Sequence, residues 1–385
     1  MHVMNIMFLY LLLLPVVLAR PSITLCMMVR DESAVIEETL LNMLPYIDRY
    51  DITDTGSTDG TPDVIRAVMS RNNVPGTVYH TDWNGFGDHG SEVGSQTVMY
   101  SNCYGQADYL FKMDADDLVM GVLNWPQPMD KDGYDLLQRS GSGNSYVNLK
   151  LLSGTVRWRA FGPVHEYVSS SSAFTSALLE GDYYILSRRL SKRNDDDRKY
   201  ERDALVLENA LVSEPENARY QFYLAQSYRD AGLLEKSLSA YLKRATMKGW
   251  HEEKFYAMYQ AGKLKESLNY SFDEIHDQYL RAYESHPERA EPLYALSRLF
   301  RLAGRQATAY IYAHRAVGLL PHPHFLFVDR WMYSVGILDE ICATAWYAHA
   351  YEEGLSACSK LPLTDRIKEN LSYYLDDVLD IEIKL

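Results

Sequence analysis

Three carboxylates fall within four positions at the end of an apolar, aromatic-rich segment. The segment spans 107–113, and Asp114, Asp116 and Asp117 follow it. If the strand continues through them, Asp114 and Asp116 share one face, because strand side chains alternate with a period of two. Neighbouring carboxylates repel each other unless a cation or open water separates them. Their oxygens suit Mg²⁺ and Mn²⁺, which usually also hold substrate phosphates. The pattern therefore predicts a metal site or, alternatively, a solvated acidic strand end.

The elements before this motif follow one another in β-α-β-α-β order. We expect strands at 23–29, 50–53 and 77–80. This order predicts a right-handed, doubly wound parallel sheet, in which ligands bind beyond the carboxyl ends of the strands. Arg30, Asp54 and the pair Asp114 and Asp116 all follow predicted strands. Their shared location favours the metal site over the solvated strand end.

A second pair of titratable side chains, His165 and Glu166, lies in the apolar segment 161–167, which we expect to be a strand. An imidazole and a carboxylate are both able to accept a proton or to bind a metal ion. The alternative is a core histidine with a satisfied ring beside a surface glutamate. Neighbouring strand residues point to opposite faces, so a regular strand cannot direct both side chains into one site.

The strand pattern disappears in the second half of the chain, and a helical repeat takes its place. Ala225 and Gly232 recur 72 residues later as Ser297 and Gly304, which corresponds to two repeats of 36 residues. A degenerate middle copy fits around Gly262. The period approximates that of the tetratricopeptide repeat (TPR), a helix-turn-helix unit of roughly 34 residues. We therefore expect a stack of TPR-like helices, with an irregular helical bundle as the alternative.

The chain of 385 residues is long enough for two domains. We expect a sheet domain at 21–195 and a helical domain at 196–385, after an N-terminal apolar segment at 1–20. The stretch 6–19 is too short to span a membrane comfortably and fits the core of a signal peptide or a short anchor. Such a segment directs a chain to the secretory pathway, in the ER or Golgi lumen, or to a membrane. Without it, we expect a cytoplasmic protein.

Charge and cysteine spacing narrow the partners and the redox chemistry. The net charge of −14 argues against nucleic acid, because phosphate contacts require a clustered basic surface. The four cysteines are widely scattered and show no zinc-binding spacing. Cys26 lies inside an apolar strand, where we expect a buried thiol.

Taken together, these residues make the chain resemble an inverting glycosyltransferase of family two with a GT-A fold. More closely, it resembles the subgroup in which this domain is fused to TPRs, over almost all of the chain after the N-terminal segment. The segments that carry the resemblance are 25–32, 54–61, 107–116, 164–166, 193–200 and 222–228. The resemblance implies an α/β domain with a doubly wound, Rossmann-like mixed sheet, followed by an all-α TPR-like domain.

The resemblance also implies roles for particular residues. Asp114, Asp116 and His165 are the expected ligands of Mn²⁺ or Mg²⁺, and the metal on Asp116 bridges the donor diphosphate. Glu166 is the expected catalytic base, with His165 as the alternative. Lys199 is a further candidate for holding the diphosphate. The residues expected to bind the nucleotide sugar, with Asp54 at the base or ribose, are Arg30, Glu32, Asp54, Asp59, Asp114, Arg188 and Arg193.

The leading hypothesis is a metal-dependent glycosyltransferase. It would move a sugar from a UDP- or GDP-sugar to a hydroxyl of a glycan, lipid-linked or protein acceptor, with inversion. The alternative is a TPR-based protein-binding scaffold, which holds a protein partner or a second copy while its transferase domain is catalytically impaired. One departure favours it, since no arginine follows Phe86-Gly87, where relatives often have one. A nucleotidyltransferase is disfavoured, because Arg30-Asp31-Glu32 stands where a glycine-rich, basic phosphate loop is needed.

Overall fold

The computed structural model describes residues 20–88, 92–141, 144–188, 190, 198–322 and 325–384, and the structural statements below refer to these residues. A mixed β-sheet with flanking helices comes first, and a helical part begins at Lys199. The predicted combination of a mixed-sheet α/β region and a following helical domain is confirmed. The predicted boundary at 195–196 lies outside the described residues, as does the N-terminal segment 1–19.

The sheet region is built from eleven described strands and three described helices. The strands are β1 (Ile23–Val29), β2 (Arg49–Asp54), β3 (Gly76–His80), β4 (Tyr109–Lys112), β5 (Asp117–Gly121), β6 (Gly133–Ser140), β7 (Asn144–Ser153), β8 (Trp158–Phe161), β9 (Tyr167–Ser170), β10 (Ser176–Leu178) and β11 (Tyr183–Ser187). The helices are α1 (Ile36–Met43), α2 (Thr61–Arg71) and α3 (Ser95–Cys103).

The main sheet has the strand order β3-β2-β1-β4-β7-β6-β11-β5. The first four strands of this order are parallel. β7 runs antiparallel between β4 and β6, and β11 pairs in parallel with β6 and antiparallel with β5. β8 and β9 form a separate hairpin. The carboxyl ends of β1, β2 and β4 therefore meet at one edge, which is where ligands of such sheets bind.

β1 shows how the sequence specifies this sheet. It is almost completely buried, as a central strand covered on both faces must be. Leu25 and Met27 belong to the core that the sheet forms with α1 and α2. Cys26 points to the other face, packs with Met99 and forms a disulfide with Cys103 of α3. The prediction of a buried thiol at Cys26 is therefore wrong, because the fold brings together two cysteines that are 77 positions apart.

The helical part continues to the end of the described chain. Its elements are α4 (Lys199–Ser213), α5 (Ala218–Asp230), α6 (Leu234–Thr246), α7 (His251–Ser267), α8 (Phe272–Ser285), α9 (Glu291–Leu302), α10 (Gln306–Ala316), the short strand β12 (Val328–Asp329), α11 (Ile337–Thr344), α12 (Tyr351–Ser359) and α13 (Asp365–Lys384). Short turns join α5 to α6, α7 to α8 and α9 to α10. Ala225, Ser297 and Ala309 are fully buried where these helices pack. Gly232 and Gly304 lie in two of the turns with φ of 76° and 73°, a backbone conformation that favours glycine.

The sheet region and the helical part pack against each other. Val164, from the loop between β8 and β9, belongs to the apolar core of the repeat helices. The ring of Phe327 lies 5.7 Å from that of Tyr146 in β7 and 5.0 Å from that of Tyr256 in α7. β12 pairs antiparallel with β7. Among the described residues, no helix is both long and apolar enough to cross a membrane.

Candidate functional site

A cleft of about 870 Å³ opens at the carboxyl ends of β1 and β4. The acidic side chains in its lining are Asp31, Glu32, Asp114, Asp116 and Glu166. The basic side chains in its lining are Arg30, Lys112, Lys199 and Arg202. Carboxylates and cations from the sheet, from a hairpin loop and from α4 therefore converge on one space. Such a mixture suits a polyanionic ligand that is bound together with a divalent cation.

The acidic motif forms a turn between β4 and β5, which we call the acidic turn (residues 114–117). The backbone N–H of Asp117 donates to the carbonyl oxygen of Asp114 at 3.2 Å. The Asp114 side chain is 56% exposed, whereas Asp116 and Asp117 are buried. Asp114 and Asp116 both line the cleft. The strand alternation expected through this motif is therefore wrong, and a turn brings the two carboxylates to the cleft instead.

Lys150 of β7 holds the acidic turn from inside. Its Nζ lies 3.1 Å from Oδ2 of Asp117 and 3.5 Å from Oδ2 of Asp114. The ammonium of Lys150 lowers the pKa of Asp114. Burial raises the pKa of Asp117 to about 6. Burial by itself would lower the pKa of Lys150, but the charges of Asp114 and Asp117 raise it above its usual value. Nothing in the sequence around Asp117 indicates Lys150, because strand pairing places it there from 33 positions further along the chain.

The segment after β11 fixes Asp116. Its Oδ2 accepts a hydrogen bond from the backbone N–H of Leu190 at 2.6 Å, and its carbonyl oxygen accepts one from Nε of Arg188 at 2.8 Å. Arg188 also pairs with Glu38 and does not line the cleft. The structure thus places Arg188 behind Asp116 and outside the lining of the cleft. Arg193 lies outside the described residues.

Glu166 and His165 lie in the loop of the β8–β9 hairpin, which interrupts the strand expected at 161–167. His165 has a φ of 52°, so the backbone bends between the two side chains. Glu166 lines the cleft and accepts a hydrogen bond from Nε2 of Gln96. The ring of His165 instead stacks on Tyr223 of α5, with centroids 4.2 Å apart. The structure therefore brings Glu166 to the cleft and does not bring His165 to the acidic turn.

Asp54 and Asp59 organise the loop between β2 and α2. Oδ2 of Asp54 lies 3.1 Å from Nδ1 of His80. Asp59 accepts hydrogen bonds from the backbone N–H groups of Thr61 and Ser33. Burial opposes ionisation of Asp59, but these hydrogen bonds hold its pKa well below its usual range. Neither carboxylate lines the cleft, so their geometry supports the loop beside it.

The structure brings Arg30 and Glu32 into the cleft and adds residues that the sequence analysis did not name. Lys112 is buried at the end of β4, and burial lowers its pKa. Trp83 is 40% exposed and offers an aromatic face in the lining. Arg202 follows Lys199 at a spacing of three on α4, which puts both side chains on one face of the helix. In the sequence, the helical spacing of three from Lys199 is the signal that indicates Arg202.

The donor set of the cleft fits a hard divalent cation. Asp114 and Asp116 provide carboxylate oxygens, which Mg²⁺ and Mn²⁺ prefer. The ammonium of Lys150 lowers the pKa of Asp114, which favours the ionised carboxylate. Its exposed side chain leaves room for the water and phosphate oxygens that complete the coordination of such ions.

Known proteins that are similar to this chain include TPR proteins. No protein-family model matches the sequence. A TPR repeat-containing protein of Synechococcus elongatus is 24% identical over 336 residues, which cover 79% of this chain and 77% of that protein. A crystal structure of MamA is 15% identical and covers 50% of this chain and 96% of its own, with a TM-score of 0.30. That of TTC0263, a thermophilic TPR protein of Thermus thermophilus, is 13% identical and covers 46% of this chain and 91% of its own, with a TM-score of 0.26.

The helical half is a TPR-like domain. The Synechococcus protein carries this repeat by name, and its alignment covers more of this chain than the helical half alone. The similarity therefore extends into the sheet region. The helix pairs and buried small residues of α5 to α10 agree with it, so the predicted TPR-like domain is confirmed. The names of these proteins do not mention a glycosyltransferase.

Proposed function

We propose that the cleft binds a nucleotide sugar with a divalent cation and transfers the sugar to an acceptor hydroxyl with inversion. The observation that carries this proposal is the convergence of Asp114, Asp116 and Glu166 on one cleft at the carboxyl ends of parallel strands. Two carboxylates suit the cation of the donor diphosphate. A third one, from a different loop, is available for proton transfer.

In this proposal, Asp114 and Asp116 would hold Mn²⁺ or Mg²⁺, which would supply Lewis-acid stabilisation of the leaving diphosphate. Arg30, Lys199 and Arg202 add positive charge where the diphosphate lies, and so stabilise it as it departs. The exposed ring of Trp83 provides a face on which the base or the sugar of a UDP- or GDP-sugar stacks. His165 is not one of the proposed metal ligands, because its ring packs on Tyr223.

Glu166 is the proposed base. As the acceptor oxygen forms a bond to the anomeric carbon and the bond to the diphosphate breaks, the acceptor proton passes to the Glu166 carboxylate. The hydrogen bond from Gln96 orients this carboxylate. A cavity of about 660 Å³ adjoins the loop and contains Tyr167 and Trp250, so an acceptor glycan or protein is able to approach from this side.

A screen of UDP- and GDP-sugars with Mn²⁺, monitored by released nucleoside diphosphate, tests the proposal. We expect turnover of at least one donor, and a loss of several orders of magnitude in Asp116→Asn with a near-native melting temperature. Asp63→Asn, on the exposed side of α2, is the matched control and should retain full activity. Unchanged turnover in the presence of a chelator would contradict the role of the cation.

A second candidate function, binding of a protein partner or a second copy through the repeats, is the one that the comparisons favour. It rests on the TPR-like helices and on the Synechococcus relative. Repeat stacks present extended surfaces for protein binding. Sedimentation of the wild-type chain measures self-association, and the donor screen measures sugar transfer. The two results together separate the two functions. A chain that self-associates or captures a protein and turns over no donor would be the scaffold.

We further propose that the protein belongs to the secretory pathway. The support is a pair of disulfides, Cys26–Cys103 and Cys342–Cys358, because such bonds persist in oxidising compartments. Cleavage or retention of the segment 1–20 decides whether it is secreted or membrane-associated. Reporter fusions carrying this segment should enter the ER, and a cytosolic reporter would contradict the assignment.

A further inference from the structure

The start of α7 and the end of α8 bring two histidines and a glutamate together. His251 and Glu252 open α7, and His286 directly follows α8. One ligand atom from each of the three lies within 4.8 Å of the other two. Nε2 of His286 is 3.6 Å from Oε1 of Glu252, and the rings of His251 and His286 are stacked with 9° between their planes. Imidazole and carboxylate are the ligands of many zinc sites.

The surrounding residues fix these side chains in position. Oε2 of Glu252 accepts hydrogen bonds from Nη1 of Arg289 at 2.6 Å and from the backbone N–H of Leu326 at 2.8 Å. Those bonds engage one oxygen and leave Oε1 turned toward His286. Nδ1 of His286 lies 3.4 Å from Oγ of Ser285. Outer partners of this kind orient the ligands in protein metal sites.

The local charge favours a dication. Arg289 is neutralised by Glu291, whose Oε1 lies 2.6 Å from its Nη2. Arg289 also pairs with Glu252, so two carboxylates face one guanidinium, and the charge of Glu288 also acts on His286. Burial lowers the pKa of His286, and the neutral imidazole is the form that binds metal ions.

A cavity gives solvent access to this cluster. It has a volume of about 340 Å³ and is lined by His251 and Glu252 together with Glu288 and His322. Tyr146 of β7 forms part of the opposite wall, so the cavity lies at the junction of the sheet and the repeat helices. Zinc–nitrogen bonds of about 2.0–2.1 Å require ligand atoms closer together than 4.8 Å. The exposed His251 side chain is able to make that adjustment.

We infer that His251, Glu252 and His286 form a binding site for a divalent metal of the zinc class, with water from the cavity completing the coordination. The site is separate from the acidic turn and binds its ion independently of sugar transfer. It would fix the start of α7 to the end of α8 at the face that meets β7.

Metal titration of the full chain carrying Asp116→Asn tests this inference, because that substitution removes the acidic turn as a competing site. Calorimetry with Zn²⁺ should show one equivalent, and Co²⁺ should give the visible absorption of a tetrahedral site. His286→Ala should weaken the affinity for Zn²⁺ by at least about tenfold. His251→Ala, at an exposed position, should do the same without the risk of unfolding the core.

His314→Ala is the matched control, since this imidazole is exposed on α10 and pairs with Glu353. It should bind Zn²⁺ with unchanged affinity. Absence of saturable Zn²⁺ binding would overturn the inference. So would equal affinities in the Asp116→Asn chain with and without His251→Ala, provided that circular dichroism shows both to be folded.

Discussion

Lys150 provides the positive charge on which the acidic turn depends. Its ammonium is buried and contacts both Asp114 and Asp117. A buried ion pair that loses one partner leaves an uncompensated charge in the interior, which is strongly destabilising. The position of Asp114 at the cleft is therefore maintained by a residue outside the motif that first attracts attention in the sequence.

Lys150→Met keeps most of the side-chain volume and removes the charge. We expect the free energy of unfolding to fall by about 3–5 kcal/mol. Urea unfolding at pH 8 measures it, well above the pKa of about 6 that burial gives Asp117. Lys131→Met is the control, because it removes an exposed pair with Asp130 and should cost at most about 1 kcal/mol. Equal losses in the two variants would contradict the role of Lys150.

The hairpin loop separates the roles of Glu166 and His165. Glu166→Gln should retain donor and Mn²⁺ binding in calorimetry while sugar transfer collapses, because the carboxylate that takes the proton is gone. His165→Ala should keep the metal dependence and lose about 0.5–1.5 kcal/mol of stability, the contribution of its stacking on Tyr223. Rescue of His165→Ala activity by excess Mn²⁺ would return His165 to the set of metal ligands.

Among the elements, α10 offers a direct test of the repeat packing. Ala309 is fully buried, whereas Ala307 on the same helix is exposed. Ala309→Leu inserts extra volume between packed helices and should cost about 1–3 kcal/mol in thermal or urea unfolding. Ala225→Leu on α5 should behave in the same way. Ala307→Leu should leave stability almost unchanged, and a similar loss there would mean that the repeat register is wrong.

The repeat turns show how far the sequence predicts the helices. Gly232 and Gly304 mark two turns, because glycine tolerates the left-handed backbone found there. The corresponding middle turn uses Asn269, with a φ of 56°. Gly262, which the sequence analysis placed in the middle copy, lies inside α7, where any side chain would collide with the ring of Tyr279. Asparagine also adopts this conformation, so a glycine pattern alone misses such a turn.

In the sheet, local sequence patterns predict where the strands lie better than they predict which strands pair. The apolar run at 23–29 predicts β1 with its observed bounds, because both faces of this strand are buried. Nothing local indicates that β7 pairs with both β4 and β6, which is what brings Lys150 to the acidic turn. The local sequence does not indicate the backbone bend at His165 either, since this bend depends on packing against α5. The acidic residues of the cleft were thus predictable, while their supporting contacts were not.

At the scale of the whole molecule, the repeats support the loop that carries Glu166. Val164 belongs to the core of the repeat helices. The carbonyl oxygen of His165 accepts a hydrogen bond from Nη2 of Arg219 at 3.2 Å, and its ring stacks on Tyr223. The TPR-like domain therefore forms one wall of the proposed active site.

Two disulfides cross-link the chain. The lengths of the loops that they close predict different contributions to the free energy of unfolding. Cys26–Cys103 closes 77 residues and links β1 to α3, whereas Cys342–Cys358 closes 16 residues between α11 and α12. Constraint of the unfolded chain gives about 4.5 kcal/mol for the longer loop and about 3 kcal/mol for the shorter one. Replacing both cysteines of each pair by alanine should lower the free energy of unfolding by these amounts, with the larger loss for the pair in the sheet.

Urea unfolding of the two double variants measures this difference, and reduction of the wild-type chain by dithiothreitol is the control. Because each double variant lacks one disulfide, reduction should lower its stability only through the disulfide that it retains. Thiol labelling of the denatured, unreduced protein should detect no free cysteine. Labelling at Cys26 would contradict the disulfide and would restore the buried thiol that its apolar strand indicates. Retained stability after reduction would remove the main support for an oxidising compartment.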